Sequence, residues 1–338
     1  MTICPGCSRS HHCFRHHDLN HLVPMGLRIF KSCVCSCVYE ERQRKKKRSS
    51  YEKRTNASLK SFGYDIGKQI GVGAYSTVHE AYSPTQQRVA VKIIDKRKLV
   101  ASSLRILSKY FDQEMQIQSK LDDVNIIKLF DTMEVGSKLY IFMELAEGGD
   151  LLEFINTHGL ISETRSKRLF RELCMAVYHC HINLIAHRDL KCENVLLSKD
   201  MKVKLSDFGF ACYCHKMSET YCGSAAYSAP EIIQEKPYNP MLSDSWSLGV
   251  ILFTMVSATM PFEETNLNRL VTNQLRRNWH FPRHAIKILS EEVMELVADI
   301  LEPDAKLRPS VTQIIESRWL SPSAVRKTTA SSTAKNEV

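Results

Sequence analysis

The feature that most constrains this chain is an ordered series of short polar motifs in its second half. The series begins with His187–Asn194, which reads HRDLKCEN. Three further motifs follow in order: Asp207–Gly209 (DFG), Ala229–Glu231 (APE) and Asp244–Gly249 (DSWSLG). The four motifs do not occur together in this order by chance, so one fold must explain all of them.

Two weaker motifs precede this series. Gly71–Val78 reads GVGAYSTV between two strand-like segments, and glycines let backbone N–H groups come close to phosphate oxygens. Gly-x-Gly turns are common in hairpins, so this motif alone is a weak indication. Position 76 holds no glycine and no helix follows, which disfavours a dinucleotide-binding fingerprint. Lys92 ends the apolar strand Val89–Lys92, and by itself such a lysine is usually a surface residue.

Strand-like segments dominate the first part of the body of the chain, and helical patterns dominate the rest. Strands are predicted over Tyr64–Gly71, Val78–Tyr82, Arg88–Ile94, Ile127–Glu134 and Lys138–Glu144. Helices are predicted over Ser103–Leu121, Ser162–Ile182, Ser243–Val256, Asn266–Arg277, Ser290–Leu301 and Val311–Arg318. The expected fold class is α+β, with a small sheet-rich lobe, a hinge near Ala146–Gly149 and a larger helical lobe.

Taken together, the motifs resemble the signature set of the eukaryotic protein kinase family, and the resemblance covers Tyr64 to Leu320. It implies the bilobal protein kinase fold. It also implies an enzyme that transfers the γ-phosphoryl group of ATP to a hydroxyl group of a protein substrate. Lys191, two residues after Asp189, resembles serine/threonine kinases rather than tyrosine kinases.

The resemblance also assigns catalytic roles. Asp189 accepts the proton of the substrate hydroxyl and orients that group, and Lys191 contacts the γ-phosphate. Lys92 pairs with Glu114 and holds its ammonium group against the α- and β-phosphates. The plainer interpretation of Glu114 is an ordinary exposed helix carboxylate.

The same resemblance implies ATP and Mg²⁺ as cofactors. Asn194 and Asp207 are the expected Mg²⁺ ligands, since this cation prefers hard oxygen donors. Adenine is expected between Val78 and Ala90 on one side and Leu196 on the other, next to the gatekeeper residue of the hinge. The implied ATP-binding set is Gly71, Val72, Gly73, Val78, Ala90, Lys92, Met143 (the gatekeeper), Glu144, Ala146, Asp150 and Leu196.

The segment between the second and third motifs predicts regulation. By alignment to the family, Thr220 is the activation-loop phosphosite and Arg188 is the cationic partner of its phosphate. The activator is expected to be an upstream kinase or a second copy acting in trans. Many such kinases place another basic residue where this chain has Cys212, so we expect a weaker phosphate pocket, with Lys216 or another cation compensating.

Three residues are expected to recognise the substrate. Asp150 and Glu193 resemble the acidic pair that reads an arginine three residues before the target in basophilic kinases. The plainer interpretation of both is a solvated carboxylate. Ser224 is expected beside the catalytic base.

One position departs from the family pattern. Four residues after Glu114 the family usually has an apolar residue, stacked behind Phe208 together with Leu129 and His187. This chain has Gln118 there. A polar group at this place is expected to loosen the helix that carries Glu114 and to lower basal activity.

Other motif residues are expected to be structural. Glu231 and Arg308 should form a buried ion pair, Trp246 should lie in the core, and Asp244 should hydrogen-bond the backbone of the catalytic loop. Because substitution of these residues would unfold the chain, they are unsuitable for testing catalysis.

Three stretches narrow the resemblance to the testis-specific serine/threonine kinases, within the calmodulin-dependent-kinase-like group. They are Met143–Asp150 (MELAEGGD), Thr220–Tyr227 (TYCGSAAY) and Tyr238–Asp244 (YNPMLSD). This resemblance implies a role in sperm development and a cytoplasmic or flagellar location. Only 18 residues follow the last predicted helix region, at 321–338, so calmodulin is not an expected partner.

The basic character of the chain belongs to its first 60 residues. They hold 13 Lys and Arg against 4 Asp and Glu, whereas the remainder has 33 of each. We therefore expect four regions: a Cys/His-rich leader over 1–38, a basic linker over 39–63, the kinase domain over 64–320 and a disordered tail over 321–338. The plainest expectation for the leader is disorder with no specific role.

Two specific roles for the leader stay open. Its cysteines and histidines, which include Cys4, Cys7 and Cys13, could bind zinc, although their spacing matches no defensible finger. Palmitoylation of Cys33, Cys35 or Cys37 beside the basic run over 42–48 would supply the two signals that stable membrane anchoring requires. The basic run could equally direct nuclear import.

Two other functional classes compete with an active kinase. A pseudokinase scaffold would keep the fold without phosphoryl transfer, but such proteins usually lack the lysine, the catalytic aspartate or the metal-binding aspartate, and here all three are present. A nucleic-acid-binding protein is disfavoured because the excess charge is confined to a leader without interleaved aromatic residues.

Overall fold

The computed structural model describes residues 59–73, 76–98, 113–263 and 266–321. The predictions of zinc binding, palmitoylation, nuclear import and a disordered tail concern residues outside these ranges. Residues 59–61 are helical, and a separate compact unit begins at Phe62. Within the described ranges, no helix combines the length and the apolar composition needed to span a membrane.

A five-stranded antiparallel sheet forms the first lobe. Its strands are β1 (Asp65–Val72), β2 (Ser76–Tyr82), β3 (Arg88–Asp95), β4 (Leu129–Val135) and β5 (Lys138–Met143). They are arranged in the order β1-β2-β3-β5-β4. The five strand predictions are therefore confirmed, with boundaries that differ by one to two residues.

Two interior strands of this sheet, β3 and β5, are its most buried ones. Val89, Val91 and Ile94 of β3 are buried, and residues 139–142 of β5 are buried too. β-branched and aromatic side chains of this kind suit a pleated surface packed on both sides. The register pairs Ala90 with Met143 at the end of the sheet that faces the hinge.

The second lobe is mainly helical. Its helices are α1 (Leu151–His158), α2 (Glu163–Ile182), α3 (Pro230–Ile233), α4 (Pro240–Ser257), α5 (Leu267–Leu275), α6 (Arg283–Ile286), α7 (Glu291–Ile300) and α8 (Val311–Ile315). Short strands pair antiparallel as β6 (Ile185–Ala186) with β9 (Cys212–Tyr213) and β7 (Val195–Leu197) with β8 (Val203–Leu205). The α+β class with a sheet-rich and a helical lobe is confirmed.

Helix α4 forms the centre of the helical lobe. Every residue from Ser243 to Ser257 is buried, so this helix is enclosed by its neighbours on all sides. Some of its buried hydroxyl groups bond back to their own helix: Thr254 donates to the carbonyl of Val250 at 2.8 Å, and Ser257 donates to the carbonyl of Phe253 at 2.7 Å. The buried N-terminal turns of α4 form a rigid support for the loops above them.

The expected buried ion pair joins the third motif to the last part of the chain. Arg308 donates to both carboxylate oxygens of Glu231, at 2.7 and 3.0 Å, and its guanidinium lies 5.0 Å from the centroid of the Trp246 ring. The Arg308 side chain is fully buried, and Trp246 lies in the core. These structural predictions are confirmed.

Candidate active site

The loop between β6 and β7 carries the first motif, and its backbone is hydrogen-bonded to Asp244 of α4. The carboxylate of Asp244 accepts the backbone N–H groups of His187 and Arg188, each at 2.8 Å, and the Nε2 atom of His181 lies 3.0 Å from it. Arg188 has a φ of 64°, in the region that non-glycine residues rarely adopt. Asp244 therefore stabilises a strained backbone at the entrance to the loop, as the sequence predicted for its side chain.

Asp189 lies in the middle of this loop with both carboxylate oxygens hydrogen-bonded. One oxygen accepts the backbone N–H and the hydroxyl of Ser224, each at 3.0 Å. The other accepts Lys191 Nζ at 2.9 Å and Asn194 Nδ2 at 3.1 Å. The aspartate is 5% exposed, so these four donors hold its carboxylate in one orientation at the floor of the cleft.

Lys92 of β3 reaches carboxylates from both lobes. Its Nζ lies 2.9 Å from Glu114, which belongs to the helix at 113–118, and 3.0 Å from Asp207. Burial disfavours the charge on Lys92, but attraction to Glu114 and Asp207 outweighs it and raises the lysine pKa. The position of Lys92 is thus determined by a helix of the small lobe and a loop of the large one.

Asp207 opens the second motif in a strained conformation, with a φ of 63°. Burial disfavours its charge, but attraction to Lys92 outweighs that effect and lowers the pKa of the carboxyl group. The next side chain, Phe208, is fully buried, with its ring centroid 4.9 Å from that of His187. This buried ring anchors the segment and leaves the Asp207 side chain directed toward the cleft, 49% exposed.

The donor chemistry beside Asp207 fits Mg²⁺. The Asn194 carbonyl accepts the backbone N–H and the hydroxyl of Ser206, at 2.9 and 3.0 Å, which places Asn194 next to the residue that precedes Asp207. Both side chains carry hard oxygen atoms, and Mg²⁺ needs only one or two carboxylates when phosphates and waters complete its shell. In the described part of the chain, no cluster of three His, Cys, Asp or Glu side chains could hold a metal by itself.

The predicted nucleotide residues lie on both sides of the hinge. On the sheet, Val78 pairs with Lys92, and Ala90 pairs with Met143. On the helical lobe, Leu196 of β7 is half-buried and bridges to the backbone of the helix N-cap at position 150. The binding of adenine between these residues stays a prediction.

The hinge backbone approaches β7 closely. Gly148 donates to the Leu197 carbonyl at 2.8 Å, and a Cβ atom at Gly148 would lie 2.7 to 2.8 Å from the carbonyls of Ser198 and Leu197. Only glycine fits there. The Glu144 N–H donates to Lys128, whereas the Ala146 N–H has no hydrogen-bond partner among the residues that the structure describes.

The glycine motif forms the turn between β1 and β2. Gly71 pairs with Val78, and the Gly73 N–H donates to the Ser76 carbonyl at 2.9 Å. Val72 is 75% exposed at this edge of the sheet. The described part of the turn is a hairpin rather than a strand-to-helix junction, which agrees with the exclusion of a dinucleotide fingerprint.

Comparison with known proteins places this geometry in a family. Residues 64–320 match the family model described as "Protein kinase domain". The chain is 41% identical over 277 residues to testis-specific serine/threonine-protein kinase 1 of Mus musculus, covering 79% of this chain and 74% of that protein. It is 42% identical over 268 residues to testis-specific serine/threonine-protein kinase 3 of Mus musculus, covering 78% and 97%. It is 40% identical over 282 residues to testis-specific serine/threonine-protein kinase 4 of Homo sapiens, covering 78% and 84%.

The chain belongs to the protein kinase family. Its relatives are serine/threonine kinases, and the kinase carries the lysine, the catalytic-loop aspartate and the second-motif aspartate that phosphoryl transfer requires. It is therefore a serine/threonine protein kinase, and the pseudokinase alternative receives no support.

The segment between the second and third motifs, here called the activation segment (residues 210–228), contacts Arg188. The Arg188 Nε donates to the Phe210 carbonyl at 2.7 Å, and its Nη1 lies 3.4 Å from the Ser218 hydroxyl. Thr220, the predicted phosphosite, is exposed, and its backbone carbonyl accepts the hydroxyl of Tyr238 at 2.8 Å. Arg188 thus lies beside the segment that carries Thr220 but does not contact the Thr220 side chain in this structure.

Two carboxylates predicted to read the substrate flank the catalytic loop. Asp150 is the N-cap of α1, where its Oδ1 accepts the Glu153 N–H at 2.8 Å, and Glu193 is exposed. The pKa of the Cys192 thiol is raised to about 12, first by burial and further by the charges of Glu193 and Asp150, although a hydrogen bond with Tyr227 opposes the shift. Both acidic groups therefore lie near Cys192 of the same loop.

Several positioning contacts of the kinase were not predicted. Gln113 Nε2 donates to the Ala211 carbonyl at 2.9 Å, and Lys120 Nζ lies 3.0 Å from the hydroxyl of Tyr213. Gln118 is buried, and its Nε2 donates to the Ile127 carbonyl at 3.1 Å. The amide expected to loosen the helix thus links it to the chain that enters β4. Only Gln118 had a sequence signal, as an unusual polar residue.

Proposed function

We propose that this kinase phosphorylates serine or threonine residues that follow an arginine by three positions, and that it does so during sperm development. The observation that carries the substrate preference is that the carboxylates of Asp150 and Glu193 both lie near Cys192 of the catalytic loop. An arginine guanidinium is always charged and binds carboxylates through charge-assisted hydrogen bonds. The developmental role rests on the names of the similar kinases, which are called testis-specific.

The chemistry follows from the contacts of Asp189. Its carboxylate accepts the proton of the substrate hydroxyl as that oxygen attacks the γ-phosphorus of ATP in line with the leaving oxygen. Four donors already surround the carboxylate. Lys191 leaves it for the γ-phosphate when ATP binds, and the Ser224 hydroxyl can turn away by rotation of its own side chain. The incoming hydroxyl therefore takes the place of the Ser224 hydroxyl.

Two lysines act on the phosphates. Lys92, held by Glu114 and Asp207, binds the α- and β-phosphates, and Lys191 turns from Asp189 toward the γ-phosphate. Asn194 and Asp207 would hold Mg²⁺, which would supply positive charge that stabilises the phosphates. Positioning and electrostatic stabilisation supply most of the catalysis of phosphoryl transfer.

Regulation and location complete the proposal. Phosphorylation of Thr220, by an upstream kinase or by a second copy in trans, brings a dianion beside Arg188 and orders the activation segment further. The kinase acts in the cytoplasm or the flagellum without calmodulin. Deletion of residues 1–60, followed by imaging of the tagged protein, tests whether the leader directs it to a membrane or to the nucleus.

The first experiment measures transfer from Mg²⁺-ATP by the purified full chain to two serine peptides that differ only in arginine or alanine at the third position before the serine. We expect the arginine peptide to be favoured at least tenfold in kcat/KM, since a hydrogen bond to a charged group contributes about 1.5–3 kcal/mol. Asp189→Asn should lower kcat by a factor of about 10² to 10⁴.

The controls separate substrate recognition from catalysis. Asp150→Asn with Glu193→Gln removes both charges but retains an N-cap side chain, so it should abolish the arginine preference while α1 stays intact. If this double variant keeps the preference, the recognition proposal is wrong. No transfer by wild-type protein phosphorylated on Thr220 would contradict the proposed activity, and a Thr220→Ala variant as active as wild type would contradict the proposed regulation.

A further inference from the structure

A groove of about 890 Å³ lies on the helical lobe, and none of the predicted catalytic or nucleotide residues lines it. Its walls come from α3 and the start of α4, from the end of α5 and from the loop at 302–306. The volume falls within the range of about 300–1,000 Å³ that is usual for sites that bind ligands. The groove is therefore large enough to hold several side chains of a partner.

One wall of the groove is continuous with the activation segment. Met217 lines the groove, and the next residue, Ser218, forms a two-way backbone bridge with Tyr238 at 2.8 and 3.0 Å. The hydroxyl of Tyr238 also donates to the Thr220 carbonyl. A partner bound in this groove would therefore lie next to the segment that carries Thr220.

The charges around the groove are unbalanced. Two of its carboxylates are already neutralised, because Glu231 pairs with the buried Arg308 and Glu302 pairs with Arg277. Three further cations line the groove, and none of them forms an ion pair with a residue that the structure describes: Lys236, Arg276 and Lys306. Asp304 is the remaining carboxylate, and it accepts the backbone N–H of Lys306 at 2.9 Å.

Apolar side chains accompany these cations. Leu275 and Met217 line the groove with 48% and 54% of their surfaces exposed. The buried ring of Tyr238 contributes to the floor. A ligand that combines carboxylates with one or two aliphatic side chains would match both features, because opposite charges give specificity and apolar contacts give affinity.

The terminal segments of the chain have the wrong charge to fill the groove. Residues 1–60 carry 13 basic and 4 acidic residues, and residues 322–338 carry Arg326, Lys327 and Lys335 against Glu337. Both segments would meet like charges on Lys236, Arg276 and Lys306. Neither of these two segments therefore matches the groove.

We propose that this groove docks an acidic segment of a partner protein, in which aspartate or glutamate residues flank aliphatic ones. The carboxylates pair with Lys236, Arg276 and Lys306, and the aliphatic side chains pack on Leu275 and Met217. Docking here tethers the partner next to the activation segment and does not depend on the sequence around its phosphorylated serine or threonine.

Direct binding tests this proposal without reliance on phosphoryl transfer. The probe is a fluorescein-labelled peptide of the sequence Glu-Glu-Leu-Glu-Glu-Leu-Glu-Glu, and its matched control has glutamine at every glutamate. Fluorescence anisotropy is measured with the full chain and with the variant Lys236→Glu/Arg276→Glu/Lys306→Glu. The control variant, Lys199→Glu/Arg283→Glu/Lys287→Glu, changes three exposed cations elsewhere on the helical lobe.

We expect the glutamate peptide to bind the wild-type chain at least tenfold more tightly than the glutamine peptide. The groove variant should lose at least tenfold in affinity, and the control variant should stay within twofold of wild type. If the groove variant has an altered melting temperature, the single variants Arg276→Gln and Leu275→Gln replace it, each with an expected loss of about threefold.

Three results would overturn the proposal. Equal affinity of the wild-type chain and the groove variants for the glutamate peptide would show that the groove is not the docking site. Equal competition by a single-stranded oligonucleotide of the same charge would indicate a general polyanion surface. Sedimentation that shows a dimer in the wild-type chain and a monomer in the groove variant would indicate that a second copy covers the groove.

Discussion

The catalytic loop and the helix at 113–118 supply the two halves of the active site, and they are held by different kinds of contact. The loop rests on Asp244, a buried residue of the fully enclosed helix α4, and on four hydrogen bonds to Asp189. The helix contributes Glu114 and is tied to its surroundings by long side chains: Gln113, Gln118 and Lys120.

The catalytic loop is therefore a fixed part of the site, whereas the helix at 113–118 can change its position. Contacts of buried groups in a packed core cannot change without unfolding, because the interior has no room for alternative arrangements. The helix at 113–118 buries Ile117 in the core and is otherwise held by a few side-chain hydrogen bonds, so it can shift at a lower cost, since each bond contributes only about 0.5–1.5 kcal/mol. The large lobe therefore maintains the position of Asp189, the proposed catalytic base, and we expect activity to be adjusted through the small lobe.

The largest effect is expected from Asp244→Ala. This change leaves the buried N–H groups of His187 and Arg188 without their acceptor, and each such group costs about 1–3 kcal/mol. We expect the free energy of unfolding in urea to fall by about 3 kcal/mol and activity to be lost with it. Retention of full stability together with loss of activity would contradict the view that the loop is part of the core.

An intermediate effect is expected from Lys92→Met. The variant removes the cation shared by Glu114 and Asp207, so kcat should fall by a factor of about 10². The Glu114 carboxylate, which is 5% exposed, loses its cation, so the free energy of unfolding should also fall, but by less than for Asp244→Ala because Asp207 is 49% exposed. A stability loss as large as that of Asp244→Ala would contradict the view that the catalytic loop is held more firmly than the helix at 113–118.

The smallest effect is expected from Gln118→Ala. The Ile127 carbonyl loses its donor, and the helix that carries Glu114 gains freedom at the cost of one hydrogen bond. We expect kcat/KM to fall by a factor of about 3 to 10, with faster amide exchange over 113–118. Gln116→Ala, an exposed position on the same helix, serves as the matched control and should leave both quantities unchanged.

Much of the fold followed from local patterns. The five strands of the small lobe and the long helices α2, α4 and α7 have lengths and apolar periodicities that the residues themselves express. Helix α1 and the short strands β6 to β9 escaped prediction. Strands of two or three residues show no measurable period, and they form only because distant segments bring their partners alongside.

The sequence by itself determined the chemistry of the site. Lys92, Asp189, Asn194 and Asp207 were assigned from motif order alone, because phosphoryl transfer requires those residue types and the resemblance supplied their roles. The buried pair of Glu231 and Arg308 was also expected before any contact was seen. Such residues can be recognised in the sequence because their role permits only one or two residue types at that position.

Only the tertiary structure decided how the site is held and what lies outside it. Gln113 and Lys120 contact residues about 100 positions away in the chain, and nothing in their own neighbourhood marks these contacts. The groove with Lys236, Arg276 and Lys306 likewise joins three segments that are distant in sequence. A surface lysine or glutamine is compatible with many environments, so its role becomes visible only when folding places its partners beside it.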